Sequence, residues 1–244
     1  MSLSSRLFLA IVVAWALVFV ARFATAAPAL RVNQERAVGI DTEIARNMSG
    51  VQAKLLAFAA DGTGTPVDIV LDSPGGSVFT GFQFVNAMEE VKGRGITIRC
   101  FVNGIAASMA FQILVHCNER YSLSRSFLLW HGVRTGVRGP VTSRTAAALH
   151  ADLAAIDKVI LGELRESLGI SEEEMQFHFN QETLHIGDNL ATMAPKFIQS
   201  YKYISGLNEA LSNPKVVRTS QAQSLEFLFN GTGDGDIQYL YQGR

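Results

Sequence analysis

Two short β-branched runs, separated by one helix, constrain the fold of this chain more than any other feature. VDIVL at residues 67–71 and ITIRCFV at residues 96–102 each have the length and composition of a buried strand. Between them, apolar residues recur at threes and fours from Val78 to Val91, and Gly93 ends the run. Strand, helix and strand joined by short loops are typical of a parallel sheet with crossover helices, so we predict an α/β fold.

Helical periodicity on both sides of this unit extends the alternation. Residues 42–60 have helical spacing, and so has a long stretch from Ser143 to Leu168. Ser171, with Glu174 three residues later, has the form of a capping box and predicts the start of another short helix. The chain after Gly206 is polar and mixed, and its pattern predicts no element.

The N-terminal segment has the features of a secretory signal. Arg6 precedes an apolar run from Leu7 to Ala21, and Ala-Thr-Ala at residues 24–26 has the small-x-small form of a cleavage site. The apolar run is shorter than the roughly 20 residues of a membrane-spanning helix. We therefore expect an exported protein, periplasmic or secreted, and an uncleaved N-terminal membrane anchor is the alternative. The predicted parts are a signal peptide at residues 1–26, an α/β domain at residues 27–205 and an unassigned tail at residues 206–244.

Charge and composition exclude one class of partner. The formal net charge is −1, and no run is rich in Lys or Arg, so no field is available to attract nucleic acid. With 48% hydrophobic residues, the chain can bury one substantial core.

The predicted export bears on the two cysteines, because an oxidising compartment permits a disulfide bond between Cys100 and Cys117. A helix that begins near Ala107 and doubles back along the strand ending near Asn103 would bring both cysteines to comparable heights. The alternative is a pair of separate buried thiols.

Adjacent glycines follow the first predicted strand. Gly75 and Gly76 in the segment SPGG leave their backbone N–H groups uncovered by side chains, just before a helix begins. Such amides can stabilise a developing negative charge, as in an oxyanion hole. A tight turn explains the same four residues equally well.

A serine among small residues follows the second predicted strand. Ser108 lies in the segment GIAASMA and is a candidate nucleophile, although serine is also a favoured helix N-cap. Gly104, Ala106 and Ala107 would leave room for a substrate carbonyl to approach the hydroxyl. The amide of Met109, in the first turn of the helix, is a candidate second oxyanion donor.

A serine nucleophile needs a base, and His131 is the best candidate among the five histidines. It ends the apolar run RSFLLW, so it is expected at the carboxyl edge of the sheet with both loops. The other histidines are less well placed: His116 near the end of a helix, His150 on a long helix, and His178 and His185 beyond the predicted sheet.

The third member of a triad orients the imidazole and stabilises its cation. Glu182 is our choice for this role. Asn180, which could orient the ring but could not compensate its charge, and Asp188 are the competitors. Residues 172–174, which are three glutamates, are better explained as stabilising a helix N-terminus.

In this order and at these separations, DSPGGS, GIAASMA, LLWHG and NQETL resemble the proteolytic subunit of Clp protease and its periplasmic relatives in the ClpP/crotonase superfamily. The likeness runs from about Val67 to Gly187. It implies repeated β-β-α units wound as a spiral, with a parallel central sheet and a handle helix.

The resemblance also implies a serine peptidase, in which Ser108 matches the nucleophile and His131 the base. Glu182 stands where the family carries an aspartate, so the acid is longer by one methylene group. The segment HGVRTG lacks the proline that usually follows the family's histidine. The positions that match the family's oxyanion donors are Gly75, Gly76 and Met109.

Partners follow from the same resemblance. It implies a homo-oligomeric ring and a peptide or protein substrate that adds as a strand beside the handle region. The predicted chemistry includes no cofactor and no metal. Because the signal sequence removes the chain from cytosolic ATP, we expect an ATP-independent enzyme with no ATPase partner.

The leading hypothesis is therefore an exported ClpP-like serine endopeptidase that acts through an acyl-enzyme. One alternative is a catalytically weak or inactive ClpP-fold scaffold or binding protein of the cell envelope, which the glutamate at position 182 favours. Another is an acyl-CoA enzyme of the crotonase branch. A variant of the leading hypothesis is a Ser-Lys dyad with Lys158 as the base.

Overall fold

The computed structural model describes residues 30–137 and 139–221. The predicted signal peptide at residues 1–26 lies outside the described residues, and so does the tail from residue 222 onwards. In the described part of the chain, no helix is both long enough and apolar enough to cross a membrane.

The described residues form a mixed α/β fold around a mostly parallel sheet, which confirms the predicted fold class. The strands are β1 (Ala37–Ile40), β2 (Val67–Ser73), β3 (Ile98–Ala107), β4 (Glu119–Leu123), β5 (Phe127–Leu129), β6 (His185–Ile186), β7 (Gln199–Tyr201) and β8 (Val217–Arg218). The helices are α1 (Met48–Ala60), α2 (Val78–Gly93), α3 (Met109–Val115), α4 (Ser143–Leu168), α5 (Glu172–Gln181), α6 (Gly187–Met193) and α7 (Leu207–Ser212).

The central path of the sheet has the order β6-β5-β3-β2-β1-β8, and β4 pairs with β3 and with β7. Every pair is parallel except β5 with β6, which is antiparallel. Because β8 pairs with β1, the sheet includes residues beyond the predicted boundary at residue 205.

Strand β3 is longer than the sequence predicts, and its length positions the site. It continues through Gly104 to Ala107 and pairs first with β4 and then with β5. Ala107 lies opposite Leu129, and the amide of Ser108 donates to the carbonyl of Leu129 at 2.9 Å. This register brings the residues after β3 and after β5 to one edge of the sheet.

The first predicted helix begins later than expected, because Thr42 to Asn47 form a polar turn instead. The Asn47 side chain donates to Thr42 Oγ1 and to the Glu43 carbonyl, both at 3.0 Å. Within this turn, Ile44 donates its N–H to the Gly75 carbonyl at 2.7 Å. The turn is therefore hydrogen-bonded to the SPGG loop.

The core is continuous between the sheet and the helices. Its largest fully buried side chains include Phe84, Phe111 and Phe197. Helix α4 has the predicted bounds and buries residues of its C-terminal half, namely Ile160, Leu164 and Leu168. The predicted cap of α5 is confirmed, since Ser171 Oγ accepts from the Glu174 amide at 3.1 Å.

Cys100 of β3 and Cys117, two residues beyond α3, are joined by a disulfide bond with their Cα atoms 6.0 Å apart. The bond ties the strand that precedes Ser108 to the far end of the helix that follows it.

Candidate active site

Ser108 occupies the sharp turn between β3 and α3. Its φ of 55° and ψ of −124° lie in a region that residues other than glycine rarely adopt. Strained strand-to-helix turns of this kind expose nucleophilic serines in other hydrolases. The Ser108 side chain makes no N-cap hydrogen bond, so the capping role that the sequence also allowed is not used.

The small residues around Ser108 serve the packing of the sheet. Ala106 and Ala107 are buried in β3. A Cβ on Gly104 would lie 2.4 Å from Asp72 Oδ1, which accepts from the Ile105 amide. Gly104 therefore allows close approach of Asp72 at the end of β2, rather than leaving space for a carbonyl as the sequence suggested.

The two glycines of SPGG have different environments. Gly75 has a φ of 97° and donates its N–H to Ser73 Oγ at 3.1 Å, so its amide already has a partner. A Cβ there would lie 2.6 Å from the Cβ of Ser108. Gly76 has a φ of 145°, and a Cβ would lie 2.3 Å from the Ile44 carbonyl oxygen. Neither position accepts a side chain without a shift of backbone.

One cavity brings together four of the six residues predicted for catalysis and the oxyanion hole. Its volume is about 190 Å³. The predicted residues in its wall are Gly76, Ser108, Met109 and His131. The remaining wall residues are Val78, Gln112, Trp130, Gly132, Val133, Arg134 and Ile160. Gly75 is not part of this wall but packs directly beneath Ser108 and Met109.

The ring of His131 is oriented by the backbone. Its Nδ1 lies 2.6 Å from the carbonyl oxygen of Gly132. A carbonyl oxygen can only accept, so Nδ1 carries a proton in this arrangement, and in the neutral ring the lone pair is then on Nε2. This is the tautomer that a general base needs when it acts through Nε2.

Glu182 lies near His131 but pairs with another residue. Its carboxylate forms an ion pair with Arg134, on the rim of the cavity. The bond from Arg134, and to a lesser degree the charge of His131, lower the pKa of Glu182 below its usual value. Among the described residues, no hydrogen bond joins Glu182 to His131.

The two competitors of Glu182 have other partners. Asn180 Oδ1 accepts from the side-chain amide of Gln176 at 3.1 Å. Asp188 Oδ1 accepts from the hydroxyl of Ser200 at 2.6 Å. Lys158, the base of the dyad variant, has an exposed side chain on α4.

Three residues of the site were not predicted. Asp157 of α4 accepts from the Val133 amide at 2.7 Å and so fixes the loop that follows His131. Gln112 lies in the cavity wall, and Arg134 lies at its rim. The sequence held a signal for Gln112, because it interrupts the apolar run MAFQILV.

Two other histidines form an aromatic cluster with Trp130 of the cavity wall. His185 belongs to the sheet, as part of β6, and not beyond it as the sequence suggested. Its ring stacks on Trp130 with centroids 4.5 Å apart, and His178 packs edge-on against it at 4.6 Å. Burial, and then the charge of His178, lower the pKa of His185 to about 4.

Among residues 30–137 and 139–221, no three His, Cys, Asp or Glu side chains are grouped closely enough to hold a metal ion.

Several known proteins are similar to this chain over about half of its length. The family model described as Clp protease matches residues 24–184, about two thirds of the chain. The chain is 31% identical over 121 residues to the ATP-dependent Clp protease proteolytic subunit of Porphyromonas gingivalis, which covers 48% of this chain and 53% of that protein. It is 30% identical over 121 residues to the ATP-dependent Clp protease proteolytic subunit 2 of Bacillus licheniformis, covering 48% of this chain and 62% of that protein. The chain thus spans about half to three fifths of the length of these relatives.

Proposed function

The chain belongs to the Clp protease family, and from this premise we propose that it is an exported serine endopeptidase in which Ser108 and His131 carry the reaction. One observation carries the proposal. Ser108, in a strained elbow, shares a cavity with His131 and with the Gly76 and Met109 positions.

The proposed reaction begins at the serine hydroxyl. His131 Nε2 accepts the proton of Ser108 Oγ while the oxygen attacks the carbonyl carbon of a peptide bond. The amides of Gly76 and Met109 donate to the resulting oxyanion. The imidazolium then returns the proton to the leaving amine, and the C–N bond breaks to leave an acyl-enzyme. A water molecule, deprotonated by His131, hydrolyses this ester and restores the hydroxyl.

The orientation of His131 is proposed to come from the Gly132 carbonyl. This contact fixes the tautomer but carries no negative charge to compensate the imidazolium. Glu182 would supply that charge without a hydrogen bond. Its carboxylate is close enough for the charge of His131 to lower the pKa of Glu182.

Export and independence from ATP form the remaining part of the proposal. The signal-like sequence at residues 1–26 and the bond between Cys100 and Cys117 both suit an oxidising compartment, periplasmic or extracellular. Such a compartment lacks the nucleotide that an ATPase partner would need. We also propose that the protein forms a homo-oligomer and acts on peptide or protein substrates, since oligomers and peptide substrates characterise the family.

One observation favours the inactive scaffold as a second candidate. Glu182, which stands at the position of the family's acid, is engaged by Arg134 instead of His131. If this pairing abolished catalysis, the fold would be retained for binding alone.

The two candidate functions predict different results when peptide hydrolysis is measured in the absence of nucleotide. Purified protein should degrade an unfolded casein in the absence of ATP, and both Ser108→Ala and His131→Ala should reduce the rate at least a hundredfold. Ser212→Ala, an exposed serine on α7, is the matched control and should leave the rate unchanged. Equal rates for wild type and Ser108→Ala would exclude the peptidase and favour the scaffold.

A further inference from the structure

A buried amide interrupts the apolar wall of the cavity. Gln112 is 3% exposed and lies one helical turn beyond Ser108 on α3. It lines the same cavity as Ser108 and His131. Its apolar neighbours in the wall are Val78, Met109, Trp130, Val133 and Ile160.

Glu163 of helix α4 sets the orientation of this amide. Gln112 Nε2 donates to Glu163 Oε2. Because a carboxylate only accepts, the NH₂ group faces Glu163, and the amide oxygen is on the opposite side of the amide carbon. Gln112 therefore presents its amide oxygen away from Glu163, and one of its two N–H groups is already engaged.

His116, four residues after Gln112, contacts the same carboxylate. His116 Nε2 lies 3.4 Å from Glu163 Oε2, and its Nδ1 lies 3.2 Å from Glu89 Oε1. Although burial opposes it, the bonds to Glu163 and Glu89 raise the pKa of His116. The Glu163 carboxylate oxygen that binds Gln112 is thus also in contact with His116.

The size of the cavity limits its occupant. At about 190 Å³ it is smaller than the roughly 300 Å³ at which pockets for drug-sized ligands begin, and it suits a single side chain. Within an apolar wall, an amide oxygen that loses water on binding must regain a hydrogen bond or lose affinity. The best occupant is therefore an apolar side chain that ends in a donor.

We propose that Gln112 is a specificity-determining residue, which accepts a hydrogen bond from the substrate side chain beside the scissile carbonyl and so favours tyrosine over phenylalanine. The inference rests on the proposed function, since it is Ser108 in the same cavity that would make this side chain the neighbour of the scissile bond. Tyrosine and phenylalanine differ by the one hydroxyl that the amide oxygen would bind.

The test uses two short peptide diphenyl phosphonates that differ only in carrying tyrosine or phenylalanine beside the phosphorus. Their rates of attachment to Ser108, which displaces one phenol, are followed by intact-protein mass spectrometry. One neutral hydrogen bond predicts that the tyrosine probe reacts about five to ten times faster with the wild type.

Variants then assign this preference to the amide. Gln112→Leu should lower the ratio to about one, mainly by slowing the tyrosine probe. Glu163→Gln, which allows the Gln112 amide to turn, should give an intermediate ratio. The matched control Gln52→Leu, on α1, should keep the wild-type ratio.

The outcomes separate the two proposals. Equal rates of attachment at Ser108 in the wild type would overturn the role of Gln112 while leaving the peptidase intact, and this comparison needs no variant to fold. A wild-type preference that survives in Gln112→Leu would also overturn it. Absence of attachment at Ser108 with either probe would overturn the proposed function, and this inference with it.

Discussion

Ser108 is held in a conformation that costs free energy, and its neighbours explain why it stays there. The amide of Ser108 donates to Leu129, and Gly75 packs against its Cβ, so both sides of the turn are fixed. Backbone strain of this kind costs roughly 1–3 kcal/mol. A cost that persists at a candidate nucleophile is consistent with a turn that serves reactivity rather than stability.

Substitution at this residue separates strain from chemistry. Ser108→Gly and Ser108→Ala both remove the hydroxyl and should be inactive, but glycine adopts a positive φ without a Cβ penalty. We expect Ser108→Gly to have a free energy of unfolding about 1 kcal/mol higher than Ser108→Ala, measured by urea denaturation. A more stable alanine variant would contradict the strained turn.

The residues of the site differ in how far the sequence could predict them. Ser108 and His131 follow apolar strands, and parallel strands bring their carboxyl ends to one edge, so both could be placed together. The partner of Glu182 could not be predicted, because Arg134 lies in an irregular loop and Glu182 is a C-cap with a φ of 51°. Such contacts depend on tertiary structure that no local pattern encodes.

At the scale of elements, β3 and α3 act as a unit closed by the disulfide. Cys100 and Cys117 are separated by 17 positions in sequence, and the loop between them contains Ser108. Closure of a loop of this length is worth about 3 kcal/mol through the unfolded state. The bond therefore stabilises the segment that carries the strained turn.

Removal of both thiols tests this contribution. The double variant Cys100→Ala and Cys117→Ala should lose about 3 kcal/mol of unfolding free energy under oxidising conditions. In excess reductant, the wild type should lose most of this difference. A wild type that is no more stable than the variant when oxidised would show that the bond does not support the fold.

A ring contact beside the β5–β6 pair depends on pH. The ring of His185 stacks on Trp130, the residue before His131, and its lowered pKa keeps it neutral at neutral pH. Because the folded pKa of about 4 is below the unfolded value near 6.5, the unfolded chain binds the proton first as pH falls. Stability is therefore lost progressively between about pH 6.5 and pH 4.

This dependence predicts a measurable difference between variants. Between pH 7 and pH 4 the wild type should lose about 3 kcal/mol more of its unfolding free energy than His185→Phe. The phenylalanine keeps a ring against Trp130 but does not titrate. His150→Phe, an exposed histidine on α4, is the control and should behave as the wild type. Parallel pH profiles for wild type and His185→Phe would contradict a neutral, buried His185.

At the scale of the whole molecule, the alternation of strands and helices predicted the fold class, and helical periodicity predicted the bounds of α4. The polar turn from Thr42 to Asn47 was not predicted, because Ile44 and Met48 have the spacing of a helix. In the structure Ile44 instead binds the backbone of the SPGG loop. The extension of β3 through GIAA escaped because glycine and alanine are poor strand formers, and pairing with β5 outweighs that propensity. Both differences lie at the site, where tertiary contacts outweigh local preference.

We propose that the protein is a peptidase in which a nucleophile, a base and two backbone donors lie at one edge of the sheet, around a pocket for one side chain. The most direct measurement is covalent labelling of the purified protein with a fluorophosphonate probe, read by intact mass and by peptide mapping. We predict one adduct per chain, located on Ser108, lost in Ser108→Ala and strongly slowed in His131→Ala. An adduct that persists in Ser108→Ala, or a wild type that takes up no probe, would contradict the assignment of Ser108 as the nucleophile.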